Sequence, residues 1–212
     1  MPFGGGREWR QGRQPEVIGG NWHDRDVSPT LQPPDPPLSD GVVTLRVPDP
    51  ELDAASLRHF DDPEIVRWIL GGPPHVTDPA AVIAQQREWW QGSANAVFSI
   101  DAEGHDERVG LTRVMFGLVE PFGFAEIGYI LFPHGRGQGY ATRTVRLVAG
   151  WVFELGVGRL QARTSLENVA SERVLERAGF RREGVARSGF VLPISGEWAD
   201  TTMWSLLPGD RR

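Results

Sequence analysis

At the centre of the sequence stands the loop His134-Gly135-Arg136-Gly137-Gln138-Gly139-Tyr140-Ala141. It follows the apolar, strand-like run Ile127–Phe132 and precedes residues that are apolar at helical spacing, which are Ala141, Val145, Val148 and Val152. The loop is therefore expected to join a strand to the start of a helix. Its glycines leave backbone N–H groups without side-chain cover, and a helix N-terminus attracts phosphate oxygens. Because Arg136 adds a fixed positive charge, the loop predicts a phosphate-binding site.

The spacing of this loop excludes two common phosphate-binding motifs. A Walker loop needs a lysine after its second glycine, and the chain contains no lysine. A dinucleotide-binding fingerprint needs the order Gly-x-Gly-x-x-Gly, whereas the glycines here stand at positions 135, 137 and 139. A glycine-rich turn that merely closes a buried strand remains the structural alternative.

The arrangement Arg136-x-x-Gly139-x-Ala141 resembles the pyrophosphate-binding motif of the GNAT superfamily, the acyl-CoA-dependent N-acetyltransferases. Further motifs follow in the order seen in its RimJ/RimL branch, namely Glu167-Asn-Val-Ala-Ser171, Val174-Leu-Glu-Arg-Ala-Gly-Phe180 and Glu183-Gly184. The similarity is sharp from about Glu126 to Gly184 and looser from Leu45 to Val114. By this resemblance the chain is identified as a RimJ/RimL-like member, in a branch that acetylates protein N-terminal amines and related substrates.

Composition and charge restrict the classes of partner. The chain has 212 residues, no cysteine and a net charge of −6, which excludes disulfides and thiolate metal sites and argues against nucleic acid as the main partner. An acidic surface favours a cationic substrate such as an amine, although many proteins carry this charge for solubility. No apolar run approaches the ~18 residues of a membrane span. A soluble, cytoplasmic protein is expected, and a monomer and a homodimer both stay open.

Three parts are expected along the chain. Residues 1–40 hold seven prolines and six glycines without a sustained period, which predicts a flexible arm. Residues 41–208 alternate strand-like and helix-like segments, with helix starts at Asp62 and at Thr77 or Asp78, and residues 209–212 form a tail. This order predicts an α/β (α+β) fold with a mixed, mostly antiparallel central sheet flanked by helices. The resemblance implies the GNAT fold, whose central strands splay apart to admit the pantetheine arm of the coenzyme.

The resemblance implies two sets of residues that hold acetyl-CoA. Backbone groups of Tyr129, Ile130 and Leu131 line the thioester arm, and one of their N–H groups polarises the thioester carbonyl. The diphosphate is held by the loop residues Arg136, Gly137, Gln138, Gly139, Tyr140, Ala141 and Thr142. Asn168 stands before the apolar spacing of a second helix, so its structural role is an N-cap, while the resemblance has its amide bond the pantetheine. No metal is expected, because the five histidines share no metal-ligand spacing.

The candidate catalytic residues are Ser171 and Glu126. In the RimJ/RimL branch the serine that matches Ser171 is proposed to protonate the departing thiolate, although a first-turn serine can also simply bond the backbone. Many GNAT enzymes use a tyrosine for this step, at a position that is Leu175 here. Two positions that carry a glutamate base in relatives are Arg163 and Phe190 in this chain. The candidate base is therefore Glu126, on the strand that leads into the loop, with a solvent-facing strand residue as the alternative.

Aromatic side chains are candidates for the wall of the acceptor site. They are Trp68, Trp89, Trp90, Phe190 and Trp198. Core packing is the competing role, above all for Trp68 and at least one of the others. The predicted function is transfer of acetyl from acetyl-CoA to a primary amine, on a protein N-terminus or a small molecule, directly within a ternary complex. The length of the acyl group stays open, and a catalytically silent acyl-CoA-binding or regulatory module is the alternative.

Overall fold

The computed structural model describes residues 31–68, 78–91, 95–117, 123–192 and 196–210. Its framework is one eight-stranded sheet. The strands are β1 (Leu38–Ser39), β2 (Val43–Arg46), β3 (Asn95–Ala102), β4 (Gly110–Phe116), β5 (Phe124–Leu131), β6 (Arg159–Ser165), β7 (Arg181–Val191) and β8 (Trp198–Leu206). They lie in the order β1-β2-β3-β4-β5-β6-β8-β7, and every neighbouring pair is antiparallel except β5 and β6. The predicted mixed, mostly antiparallel sheet is confirmed.

Helices cover both faces of this sheet. They are α1 (Pro50–Asp53), α2 (Pro63–Trp68), α3 (Pro79–Gln91), α4 (Tyr140–Glu154) and α5 (Val169–Ala178), with a 3-10 helix at Ala54–Asp61. In β5, Ile127 packs into the larger buried cluster together with α4, whereas Ile130 packs against the smaller cluster, which holds Ile65 of α2 and Ile83 of α3. Because strand residues an odd number apart point to opposite faces, the two clusters lie on opposite sides of the sheet.

The two parallel strands separate soon after they meet. Their pairing covers Phe124–Glu126 of β5 and Arg159–Gln161 of β6 and then stops, although β5 continues to Leu131 and β6 to Ser165. Beyond Glu126, β5 stays paired with β4, and β6 stays paired with β8. A gap therefore opens between the two central strands, as the family resemblance implied.

Aspartates start two of the helices, as predicted. Asp62 accepts hydrogen bonds from the backbone N–H groups at the start of α2, and Asp78 does the same for α3, all at 3.0–3.2 Å. Such side chains accept hydrogen bonds from first-turn N–H groups that have no partner within the helix. These caps fix where α2 and α3 begin.

The structure differs from the expected element boundaries at both ends. Leu38 pairs with Leu45 in β1, so the chain joins the sheet before residue 40, within the segment expected to be a flexible arm. Residues 1–30 and 211–212 lie outside the described residues, and Gly209 and Asp210 of the expected tail belong to a 3-10 turn that starts at Pro208. Strand β7 runs from Arg181 to Val191, and its pairing with β8 shifts register twice, as at β-bulges. Among the described helices, none is long and apolar enough to cross a membrane.

Candidate active site

The loop between β5 and α4 depends on two glycines in the left-handed backbone region. Gly137 has a φ of 77° and Gly139 a φ of 81°, and Gly139 is the N-cap residue of α4. A Cβ added at either position would meet no atom within 4 Å. These glycines are therefore needed for the backbone conformation, which other residues adopt at a cost, and not for lack of space.

The backbone N–H groups from Gly137 to Thr142 have no hydrogen-bond acceptor within the described part of the chain. The next amide, that of Arg143, is paired and donates to the carbonyl oxygen of Gly139 over 3.2 Å. The first N–H groups of any helix have no acceptor within the helix. Here the loop residues before α4 add further N–H groups without an acceptor. Together with the positive end of the helix dipole, the row offers several donors to the oxygens of a diphosphate.

Arg136 braces the loop through its side chain. Its Nε donates to the carbonyl oxygen of Leu131 over 3.1 Å, and its terminal nitrogen forms an ion pair with Asp62 at 2.6 Å. The hydrogen bond from Arg136 lowers the pKa of Asp62. Since Asp62 also caps α2, the guanidinium ties the loop to the helices on the other face of the sheet. Part of the charge expected to face a phosphate is thus balanced by a carboxylate.

Two other loop side chains also hold the shape of the loop. Gln138 donates through Nε2 to the carbonyl oxygen of His134 over 2.9 Å, and the hydroxyl of the buried Tyr140 donates to Gln138 Oε1 over 3.0 Å. The side chains of these predicted coenzyme contacts are therefore engaged within the loop. Only their backbone N–H groups, with those of Ala141 and Thr142, remain available to a ligand.

The far side of the gap is formed by the start of α5. Asn168 caps this helix, because its Oδ1 accepts from the N–H of Ser171 over 3.0 Å. The hydroxyls of Tyr129 and Ser171 lie 2.8 Å apart, and the tyrosine also reaches the carbonyl oxygen of Ser171 at 3.2 Å. Burial raises the pKa of the Tyr129 hydroxyl, so this group stays protonated at neutral pH. Leu175, where many relatives carry a tyrosine, is fully buried in the core.

This contact between Tyr129 and Ser171 was not predicted from the sequence. The sequence analysis gave Tyr129 a role through its backbone only, as part of the strand with Ile130 and Leu131. Because 42 residues separate the two hydroxyls along the chain, no local pattern could place them together. The one usable signal was that a tyrosine of β5 and a serine at a helix start both belong to elements that flank the gap.

Glu126 lies where β5 and β6 begin to separate, with its side chain only 12% exposed. One carboxylate oxygen accepts from Gln161 over 2.9 Å, and the other accepts from Arg163 at 2.8–2.9 Å. Both oxygens thus have donors within the protein, and an incoming amine must displace one of them to bond Glu126. Neither donor could be assigned to Glu126 from sequence spacing, although the two residues stand on the neighbouring strand. The role of Glu126 as base stays a prediction.

The aromatic residues proposed for the acceptor wall separate into two groups. Trp90 is 3% exposed and packs against Phe98 and Trp151, with its indole N–H donating to the carbonyl oxygen of Val97. It therefore serves the core, and Phe190, which is also buried, has little surface to offer an acceptor. The others have accessible surface: Trp68 and Trp89 are half-buried and lie under the guanidinium groups of Arg67 and Arg113, and Trp198 is exposed.

The structure brings together histidines that are far apart in sequence. One side-chain ligand atom each from His59, Glu107 and His134 lies within 4.8 Å of the other two. The expectation of no metal rested on spacing along the chain, which carries no information about such a cluster. Burial and the nearby Arg58 lower the pKa of His59, so its ring is neutral at neutral pH.

Comparisons with known proteins agree with this geometry. A sequence profile described as the acetyltransferase (GNAT) domain matches residues 43–181. The chain is 36% identical over 117 residues to the probable N-acetyltransferase YjcK of Bacillus subtilis (strain 168), a match that covers 53% of this chain and 62% of that protein. The chain thus spans less than two thirds of the length of this relative.

Solved structures show the same fold. A probable GNAT-family acetyltransferase from Chromobacterium violaceum superposes with a TM-score of 0.71 at 25% identity, over 96% of this chain and 98% of that one. RimL, a ribosomal protein acetyltransferase solved in complex with coenzyme A, superposes with a TM-score of 0.69 at 21% identity, over 82% of this chain and 98% of RimL.

Proposed function

Because the chain belongs to the acetyltransferase (GNAT) family, we propose that it transfers acetyl from acetyl-CoA to a primary amine by direct transfer in a ternary complex. The observation that carries this proposal is the row of unpaired N–H groups from Gly137 to Thr142, at the end of a strand that borders an open gap. The row fits the diphosphate of the coenzyme, and the gap fits its pantetheine arm. The complex of RimL with coenzyme A supports this choice of ligand.

The thioester arm would lie along the free edge of β5. Past Glu126, this strand pairs with β4 on one side only, so its other edge offers backbone N–H and C=O groups to the amides of pantetheine. Tyr129, Ile130 and Leu131 belong to this edge, and an N–H there would polarise the thioester carbonyl. The amide nitrogen of Asn168, whose oxygen is already used as a cap, would bond pantetheine from the opposite side.

The transfer itself needs one proton to move to sulfur and one to leave nitrogen. The amine nitrogen attacks the thioester carbon, the new C–N bond forms, and the C–S bond breaks to release a thiolate. Ser171 would protonate this thiolate and would then regain a proton from solvent, which also takes up the proton that the amine loses. The Tyr129 hydroxyl, 2.8 Å from the serine oxygen, would hydrogen-bond that oxygen while its proton is away. Because burial raises the pKa of Tyr129, this hydroxyl keeps its own proton and acts as a hydrogen-bond donor.

The amine has to lose its own proton before it attacks. An α-amine has a pKa near ~8 and is partly neutral at pH 7, so orientation can carry much of the rate. Glu126 would help after the amine has displaced Gln161 or Arg163 from one of its oxygens. This requirement favours an acceptor that brings its own polar groups to replace the displaced donor.

A panel of amines tests the proposal. The purified chain is mixed with acetyl-CoA and either peptides with free N-termini or small primary amines, and free thiol and acetylated product are measured together. The proposal expects thiol release that depends on one class of amine, with product mass increased by one acetyl group. Absence of both signals with every amine, in protein that binds acetyl-CoA, would overturn acetyl transfer.

The second candidate function is a catalytically silent acyl-CoA-binding module. It is favoured by the ion pair that occupies Glu126 and by the buried Leu175 at the place where many relatives carry an acid. Calorimetry separates the two functions. A silent module binds acetyl-CoA with an affinity and heat that no amine changes, whereas an acetyltransferase consumes the ligand when the correct amine is added.

A further inference from the structure

A polar cluster lies beside the start of the coenzyme loop, outside the groups proposed for acetyl transfer. Its members come from three segments: His59 from the 3-10 helix, Glu107 from the turn between β3 and β4, and His134 from the start of the loop. One ligand atom from each lies within 4.8 Å of the others. The Nε2 of His59 is 3.9 Å from the Oε2 of Glu107, too far for a hydrogen bond.

The Nε2 atom of His59 is buried and has no hydrogen-bond partner within the described residues. Buried polar atoms are nearly always paired, so an orphaned one calls for an explanation. The ring of His59 stacks on Phe132, with ring centroids 4.7 Å apart and planes inclined by 30°. This stacking holds the imidazole in place, so that its unpaired nitrogen stays near the other two members of the cluster.

His134 is oriented by its second ring nitrogen. Its Nε2 lies 3.0 Å from the carbonyl oxygen of Arg108, which can only accept a hydrogen bond. Nε2 therefore carries the proton, and in the neutral ring the lone pair is on Nδ1. Metal-binding histidines are commonly fixed in this way, with one nitrogen donating to a carbonyl oxygen and the other left free for the metal.

We propose that His59, Glu107 and His134 bind a divalent transition-metal ion of the zinc type. Two imidazole nitrogens and one carboxylate oxygen form a donor set that suits Zn²⁺, whereas Mg²⁺ and Ca²⁺ prefer oxygen donors alone. The ion would join three chain segments and stabilise the start of the loop that leads to α4. The proposal does not depend on the proposed acetyl transfer, because none of its ligands takes part in that chemistry.

Arg58 competes with the metal in this arrangement. Its guanidinium lies 2.5 Å from the Oε2 of Glu107, so one carboxylate oxygen is already ion-paired and a positive charge stands close by. Both side chains of this pair are about half exposed, which allows them to separate when an ion arrives. Removal of the guanidinium in Arg58→Gln should therefore strengthen metal binding.

Zinc titration of chelator-treated protein tests the site. Calorimetry of the full chain with Zn²⁺, and with Mg²⁺ as the contrasting ion, gives the affinity, and thermal unfolding with and without Zn²⁺ gives the stabilisation. His59→Phe keeps a flat ring over Phe132 but removes the nitrogen, and Glu107→Gln removes the charge at an exposed position. Glu103→Gln is the matched control, since Glu103 is an exposed carboxylate in the same turn.

The proposal predicts that Zn²⁺ raises the unfolding temperature and that Mg²⁺ does not. His59→Phe and Glu107→Gln should each weaken Zn²⁺ binding at least about tenfold, Glu103→Gln should match the unmodified chain, and Arg58→Gln should bind more tightly. His59→Phe should also unfold at a higher temperature than the unmodified chain when no metal is present, because it removes a buried unpaired nitrogen. Equal Zn²⁺ affinity in the unmodified chain, His59→Phe and Glu107→Gln would overturn the site, as would absence of Zn²⁺ binding.

Discussion

The two ends of the gap between β5 and β6 are built in opposite ways. At the loop end, the backbone N–H groups from Gly137 to Thr142 have no partner within the described chain, and the nearby side chains hold the loop shape. At the other end, the side chains of Gln161 and Arg163 both donate hydrogen bonds to the carboxylate of Glu126. The end proposed for the coenzyme is thus open and made of backbone, while the end proposed for the acceptor is closed by specific side chains.

This difference explains why one ligand is easier to assign than the other. Backbone donors at a helix start can bind phosphate in any sequence that has the right glycines, so a phosphate-bearing ligand follows from general chemistry, and membership of the acetyltransferase (GNAT) family narrows the proposal to acetyl-CoA. A closed set of side chains shows what the acceptor must displace but not what the acceptor is. Three predictions each test one part of the gap, and a fourth tests an ion pair outside it.

Ser171→Ala should lower kcat about a hundredfold, since it removes the proposed proton donor to sulfur. Acetyl-CoA affinity should change little, because the diphosphate contacts are untouched. Steady-state kinetics and calorimetry measure the two quantities separately. Tyr129→Phe should lower kcat less, because Ser171 can still donate its own proton. An unchanged kcat in Ser171→Ala would contradict the role of Ser171 as the acid.

Gly139→Val should weaken acetyl-CoA binding at least about tenfold, because a β-branched residue resists the left-handed conformation and turns the N–H row away from the ligand. Gly156→Val is the matched control. Gly156 also has a left-handed φ, of 86°, and open space around it, but it lies beyond the far end of α4. The free energy of unfolding should fall by similar amounts in both variants. If they also bound acetyl-CoA equally well, the loop backbone would not be the coenzyme site.

Arg163→Gln should change the acceptor end alone. Loss of the ion pair frees one oxygen of Glu126, so the amine no longer has to displace Arg163, and KM for the amine should fall about threefold to tenfold, with the Kd of acetyl-CoA unchanged. Arg46→Gln removes an ion pair with Asp101 on strands β2 and β3 and serves as the control. A change in acetyl-CoA affinity, with no change in KM for the amine, would contradict the assignment of the two ends.

Glu183→Gln should have the smallest effect, on stability alone. Hydrogen bonds from Arg159, and then from Ser205, lower the pKa of Glu183 from 4.5 to about 2. The folded-state pKa is depressed, so this carboxylate stabilises the fold above pH 4.5 and loses that contribution as the pH falls towards 2. Because the pair is partly exposed, it is worth no more than about 1 kcal/mol. Urea unfolding at pH 7 and at low pH checks this, since the free energies of unfolding of Glu183→Gln and of the unmodified chain should differ only at pH 7.

Local sequence patterns were enough to predict the framework of the fold around the loop. The loop, its helix and the caps Asp62 and Asp78 could be read from residues that lie next to one another, where backbone chemistry decides the outcome. The strand β1 was missed because its two residues stand in a proline-rich segment, and only pairing with β2 makes them a strand.

Contacts between distant residues could not be predicted from the sequence. Glu126 and Arg163, Tyr129 and Ser171, and the cluster of His59, Glu107 and His134 each join segments that only the folded sheet brings together. The chemistry of each residue type was visible in the sequence, but the partner that changes its role was not. The candidate base illustrates this most clearly, because its value as a base depends on donors from another strand.

Calorimetric comparison of coenzyme A with pantetheine tests the central claim most directly. Pantetheine carries the thiol arm without the diphosphate, so it can enter the gap but cannot use the N–H row from Gly137 to Thr142. Charge-assisted hydrogen bonds contribute about 1.5–3 kcal/mol each, and several of them should make coenzyme A bind more than about a hundredfold more tightly than pantetheine. Equal affinities for the two ligands would contradict the claim that this loop binds the diphosphate.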